Sequence, residues 1–300
     1  QRVKRALESL VVRSGGAALS RRALRGRALV LAYHNIVPTD RRACGDLSLH
    51  LPRTEFAAQL DVLQRTHEVV ELAELFDGTS VQRRHPRVAI TFDDAYAGAV
   101  TAGVEELRQR GLPATIFVAP HILNGRAFWW DALSGPEGLR PELREHALWS
   151  CRGEDGAVRR WAEETGQRLS IPADHATGAT EVQLETAMRY NRLTLASHTW
   201  SHPNLSALDP DQLRIELTRP RVWLAERFAR VLDWISYPYG LANETVEHAT
   251  ANAGYVAGLR VSGGWMARGF RRSYALPRMN VPAGVSLDGF ALRLSGLGRE

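Results

Sequence analysis

Lysine is almost missing from this chain of 300 residues: Lys4 is the single lysine among 38 basic side chains, and the rest are arginine. The formal charge of +5 therefore says little about partners. No recognised module gathers the arginines on one face among aromatics, so nucleic acid is not an expected partner. Cysteine is scarce too. Cys44 and Cys151 form no CxxC pair; they could bridge, but the sequence neither requires a disulfide nor excludes an oxidising compartment. Long apolar runs are absent, none reaching the roughly 18 residues that a bilayer-spanning helix needs. The first residue is Gln1, which leaves room for an upstream leader; a cytoplasmic, membrane-apposed placement is preferred to a secreted one. What is present is ordinary for a folded α/β domain: 44% hydrophobic and 24% charged residues.

Residues 1–27 carry eight basic side chains against one acid, Glu8, with Val3, Leu7, Leu10 and Val11 at helical spacing. A basic amphipathic helix either packs on its own domain or lies on an anionic membrane surface, and the first reading is preferred. Gly15-Gly16 interrupts it. Short apolar strands then recur: Ala28–Tyr33, RVAITF from Arg87, PATIFVAP from Pro113, RLTLAS from Arg192, DWIS from Asp233 and GYVAGLRV from Gly254. Helical stretches alternate with them at Val100–Arg110, with Gly111 as C-cap, at 210–230 and at Asn243–Ala253. That alternation predicts a parallel sheet, open or closed. Residues 121–190, with Trp129, Trp130, Trp149 and Trp161, break the rhythm and read as an insertion of two or three helices.

Polar clusters follow the strands. Tyr33-His34, Asp93-Asp94, His198 to His202 and Tyr237-Pro238-Tyr239 all lie where a strand ends, and strand carboxyl ends share one face in parallel α/β folds. Histidines four residues apart face the same way if they sit on one helical turn, and two imidazoles plus a carboxylate suit zinc with one position left open. Of two adjacent aspartates, one can bind an ion while the other stays free as a base. Taken singly, Asp-Asp is equally a helix N-cap with an acidic first turn.

TFDD at 91–94, HTWSH at 198–202 and YPYG at 237–240 occur in the order of three motifs of the metal-dependent polysaccharide deacetylases, family 4 of the carbohydrate esterases, which the chain resembles over roughly residues 28–282. The resemblance implies a distorted (β/α)7-type barrel of parallel strands with a helical insertion. It makes residues 1–27 a helical extension and 283–300 a C-terminal tail. It further implies Asp93 as catalytic base, Asp94, His198 and His202 as metal ligands, and the Tyr239 backbone amide as an oxyanion donor. Two departures stand out. Ser236 occupies the position where the family commonly carries an arginine, and no late Leu-x-His motif is present, the last histidine being His248. YPYG, with YHNIV near the start and LPRMNV near the end, resembles a subgroup associated with bacterial exopolysaccharide biosynthesis, in which a late arginine, here Arg278, braces the catalytic aspartate. His34 is either an acid for the leaving group or a satisfied core histidine.

The resulting expectation is a hydrolase that takes N-acetyl groups from an amino sugar in a poly-, oligo- or lipid-linked saccharide. One divalent ion assists it, zinc ahead of nickel or cobalt. An O-acetyl esterase and an inactive saccharide-binding homologue are the alternatives. Trp200, Tyr237 and Trp130 are candidate substrate contacts, the Trp129-Trp130-Asp131 run being a sugar-stacking wall or core packing. Trp265 is a further pocket candidate. Arg268, Arg271 and Arg272 either meet an anionic polymer or are solvated surface.

Overall fold

The computed structural model describes residues 2–76, 85–266 and 273–298, residues 2–7 as backbone alone. Arg268, Arg271 and Arg272 lie outside the described residues. In chain order the elements are α1 (Arg2–Arg13), α2 (Gly16–Ala23), β1 (Ala28–Tyr33), β2 (Asn35–Val37), β3 (His50–Pro52), α3 (Arg53–Thr66), β4 (Glu68–Val69), β5 (Arg87–Phe92), α4 (Val104–Arg110), β6 (Ala114–Val118), α5 (Trp129–Leu133), α6 (Pro141–Trp149), α7 (Asp155–Glu164), α8 (Glu181–Ala187), β7 (Leu193–Ser197), α9 (Pro210–Arg227), β8 (Val231–Ser236), α10 (Glu244–Asn252), β9 (Ala257–Gly263), β10 (Leu276–Asn280) and α11 (Leu287–Leu294). Seven strands, β1, β5, β6, β7, β8, β9 and β10, pair in parallel and close because β1 bonds both β5 and β10. Short β4 pairs with the first residues of β5, while β6 pairs with its last two. The architecture is a closed seven-stranded parallel barrel wrapped by helices.

Side chains alternate along each strand. Val30, Ala89, Phe117, Ala196, Trp234 and Leu259 form one buried cluster, the barrel interior. Their neighbours Leu29, Leu31, Val88, Ile90, Ile116 and Leu195 belong to the larger core beneath the helices. Three expectations shift at this level. A seventh strand, Leu276–Asn280, completes the barrel. The expected tail contains α11, whose Phe290 and Leu294 are fully buried and which packs on α1 and α3. The insertion holds four α-helices rather than two or three. Both cysteines are free thiols. Among the described residues no helix is long and apolar enough to cross a membrane.

Candidate active site

Two or four residues beyond the interior layer, the same alternation delivers the chemistry. Val30 leads to His34 through Ala32, Ala89 to Asp93 through Thr91, Ala196 to His198, Trp234 to Ser236, and Leu276 to Arg278. Five strands thus project polar side chains into the carboxyl mouth of the barrel, where parallel α/β folds concentrate their sites.

Arg278 comes from β10 and is completely buried. Its Nη1 donates to Asp93 Oδ1 at 2.8 Å and its Nη2 to Asp93 Oδ2 at 2.6 Å. Nε donates to the Arg260 carbonyl at 3.0 Å, Nη1 also to Thr91 Oγ1 at 3.2 Å, and Nη2 also to Ser236 Oγ at 2.6 Å. All five guanidinium N–H groups are engaged, and Ser236 Oγ donates onward to Asp93 Oδ2 at 3.2 Å. Burial alone raises the Asp93 pKa, but the Arg278 guanidinium, foremost of the groups that favour the anion, outweighs it and holds the carboxyl below its ordinary value. A small Ser236 leaves room for a guanidinium from another strand. The arginine missing at position 236 is thus matched by one that reaches the same carboxylate from β10.

Asp94 faces the histidines instead. Its Oδ1 lies 3.4 Å from His198 Nε2 and 3.2 Å from His202 Nε2, and the two Nε2 atoms are 3.1 Å apart. His198 Nδ1 is 2.8 Å from the Ser236 carbonyl, a bond only Nδ1–H can donate, so its Nε2 presents a lone pair. Asp94 Oδ1 is buried without a hydrogen-bond partner. With His202 protonated on Nδ1, which has no hydrogen-bond partner of its own, its Nε2 joins His198 Nε2 and Asp94 Oδ1 as a third acceptor, an arrangement that a cation between them would satisfy. The spacings also match a tetrahedron with ~2.0–2.1 Å bonds, whose edge is about 3.4 Å. The donor set, two imidazoles and a carboxylate, fits a zinc-type ion.

A family model for polysaccharide deacetylase matches residues 80–258. The chain belongs to the polysaccharide deacetylase family. It is thereby a hydrolase of acetylated saccharides. YxkH of Bacillus subtilis, named for the same family, is 24% identical over 271 residues, 89% of this chain and 76% of that protein. A chitin deacetylase of Pestalotiopsis is 27% identical over 169 residues, covering 56% of this chain and 52% of its own length. Among solved structures, the Streptococcus pyogenes deacetylase PplD superposes with a TM-score of 0.61 at 16% identity over 89% of this chain and 98% of its own. IcaB from Ammonifex degensii gives 0.59 at 17% over 90% and 96%. At these identities the likeness is one of fold. The family match omits β1 and β10, hence His34 and Arg278.

Backbone strain in this family member collects at the site. Asp94, Ala95, Thr199, His202 and Tyr239 all have φ between +53° and +70°, a region costly for a β-branched residue such as Thr199. The two metal-facing histidines therefore do not share a helical turn: residues 198–204 form a loop that turns twice through the left-handed region. Glu216 on α9 holds that loop, its carboxylate accepting from the amides of Trp200 (2.9 Å) and Ser201 (2.8 Å) and from Ser201 Oγ (2.6 Å). Glu216 gave no signal in the sequence beyond a polar residue on a helix. The Tyr239 ring stands edge-on to His202 at 4.7 Å, and its hydroxyl donates to the His202 carbonyl at 3.2 Å while accepting from Trp129 Nε1 at 3.0 Å.

The remaining candidates divide. His34 is half-buried at the mouth. Burial lowers its pKa, opposed by Asp94 and Asp93 and reinforced by Arg278 and His198, so it feels the whole cluster. Trp130 is 3% exposed and offers no open face to a sugar. It packs 4.9 Å from His202 and donates to the Tyr96 hydroxyl at 2.7 Å, which donates to Asp131. The WWD run is core, with Asp131 also bonded to His50 and to the Asp46 amide. Tyr237 is fully buried, its hydroxyl donating to the Tyr274 carbonyl. That hydroxyl fills the space a Cβ on Gly258 would need, 2.1 Å away; Tyr237 therefore cannot reach substrate. Trp200 lies under Arg219, 3.7 Å from guanidinium carbon to ring centre, facing α9. Trp265 stacks on His67, and the neighbouring Met266 bonds back to Ala28 at the start of β1, which puts Trp265 at the opposite end of the barrel.

Proposed function

We propose that this chain removes N-acetyl groups from an amino sugar within a poly-, oligo- or lipid-linked saccharide, an acetylated exopolysaccharide being the substrate class its YPYG subgroup suggests. The observation that carries the reading is a carboxylate locked to a buried arginine beside a triangle of ligand atoms. Asp94, His198 and His202 would hold a divalent ion, with zinc the best match, which when bound would supply Lewis acidity toward water and the acetamide carbonyl. Asp93 takes the proton of the attacking water. Because Arg278 occupies both carboxylate oxygens, Asp93 stays ionised and fixed in direction while it waits. The Tyr239 backbone amide donates to the oxyanion that forms on the acetyl oxygen. Tyr239 and Trp130, packed on His202, fix that ring. His34 is the candidate for passing a proton to the departing nitrogen, the proton that Asp93 takes from water being its source. Acetate and a free amine result.

The test is acetate release from a panel of N- and O-acetylated oligosaccharides, with and without a chelator. Release that needs the ion and leaves a new primary amine on the sugar supports the proposal. Acetate without amine identifies an O-acetyl esterase, and saccharide binding without acetate under any divalent ion identifies an inactive homologue. A His34→Ala variant with unchanged turnover removes that residue from the mechanism.

A further inference from the structure

We infer that the outer face of the α1–α2 hairpin, with the arginine cleft beside it, docks on a membrane leaflet containing anionic lipid. The hairpin has one inward and one outward face. Inward, Glu8 accepts from Ser286 Oγ at 2.6 Å, Ser20 Oγ donates to the Ser295 carbonyl at 2.6 Å, and Ala17 and Leu24 are buried. The only acid in residues 1–27 is thus used against α11. Outward, each helix repeats one pattern. Leu10 is 65% exposed with Arg13 three residues on, and Leu19 is 66% exposed with Arg22 three residues on. At that spacing each leucine and its arginine are neighbours on the helix surface. Beside α2 lies a cleft of about 230 Å³ whose described lining includes Arg21, Arg22, Arg65 and His85, with no carboxylate among the described residues that line it.

What sets Leu10 and Leu19 apart from the molecule's other exposed apolar side chains is that each sits beside an arginine in a strongly basic segment. An interfacial helix explains that pairing, since apolar side chains enter the acyl boundary while guanidinium groups meet lipid phosphates. Each arginine near an anionic surface adds attraction that salt screens. Arg65 ends α3 and His85 precedes β5, which puts the cleft at the amino end of the barrel. The polar mouth opens at the carboxyl end, so a docked molecule keeps it accessible.

The experiment is co-sedimentation of the full chain with vesicles of phosphatidylcholine alone and of phosphatidylcholine mixed with phosphatidylglycerol, at low and high salt. Association with the mixed vesicles is expected, weakening with salt, with little on the neutral ones. The exposed pairs Leu10→Ser/Leu19→Ser and Arg13→Glu/Arg22→Glu are each expected to weaken it about tenfold or more, with circular dichroism and Tm unchanged. Absence of association, equal association with neutral vesicles, or undiminished association of the leucine pair overturns the inference. In the last case, matching retention on heparin identifies a plain polyanion site instead.

Discussion

Arg278 and Asp93 depend on each other. Both are buried, and each neutralises a charge that would otherwise be unpaired inside the barrel. Breaking such a pair from one side typically costs about 3–5 kcal/mol, because the survivor stays buried and uncompensated. Arg278→Met is therefore expected to lower unfolding stability by about that amount in urea titration. The double variant Arg278→Met/Asp93→Asn should recover much of the loss. Full additivity of the two losses would show that the pair is not coupled. Arg278→Lys keeps the charge but loses the fork, and should retain the metal ion while turnover falls. The neighbouring aspartates are distinguished by a second comparison. Asp93→Asn should bind metal normally and lose about 10²–10⁴-fold in kcat. Asp94→Ala, which removes the oxygen facing both Nε2 atoms, should lose the ion as well, read by metal content after dialysis. Metal loss in Asp93→Asn with activity largely kept would reverse the two roles.

Loops between elements hold the ligands, and one helix holds the loop. The stretch from His198 to His202 passes through positive φ at Thr199 and again at His202, so it keeps its shape only while something fixes it. Glu216 does so from α9 with three accepted hydrogen bonds. Glu216→Ala should weaken metal affinity by about 10–100-fold, the range seen when groups that orient ligands are removed. Glu216→Gln, which keeps one carbonyl acceptor, should fall between. Competition with a chromophoric chelator reads this directly; a Tm change at constant metal affinity would reduce Glu216 to a packing role. The same loop shows what the sequence could and could not tell. Six barrel strands were legible because each is a short apolar run, and the polar residues that close them are visible by eye. Leu276–Asn280 does not read as a strand, since Pro277 and Arg278 interrupt its apolar pattern. The subgroup resemblance points to Arg278 as the brace of the aspartate, but the residue pattern alone does not show that a β10 side chain reaches Asp93 across the barrel. The i, i+4 histidines suggested a helix because spacing cannot distinguish one turn from a loop that folds back. Tyr237 and Trp130 looked available to substrate, whereas alternation and packing turn both inward. Glu216 left no mark, because a loop anchor needs only one carboxylate on a helix that has several.

The whole barrel divides its polar chemistry between two ends, and the end opposite the site carries its own pH dependence. His67 is buried there, 4% exposed, stacked 6.0 Å from Trp265 with Thr66 Oγ1 2.8 Å from its Nδ1. Burial is the main cause that pulls its pKa down to about 4; the Arg21 and His85 charges act with it and the Leu294 backbone opposes it. An unfolded histidine titrates near about 6.5. Above that pH both states hold a neutral ring, and His67 adds no pH dependence. Between 6.5 and 4 the unfolded chain takes up a proton that the folded one refuses, so stability falls as pH falls, by roughly 3 kcal/mol in all. Below the folded value the two states bind equally and the loss levels off. Replacing the ring by a neutral side chain of similar reach, His67→Gln, removes this dependence without adding a charge. The variant will be less stable than the parent at pH 7.5, where only packing differs, and the gap should narrow or invert toward pH 4.5. A gap of equal size at both pH values, measured by denaturant unfolding, would mean that His67 accepts its proton in the folded state. Arg21 makes the effect adjustable from the hairpin side. Arg21→Gln removes a positive charge facing the ring and should raise the folded His67 pKa, so the acid loss of stability becomes smaller and levels off at a higher pH.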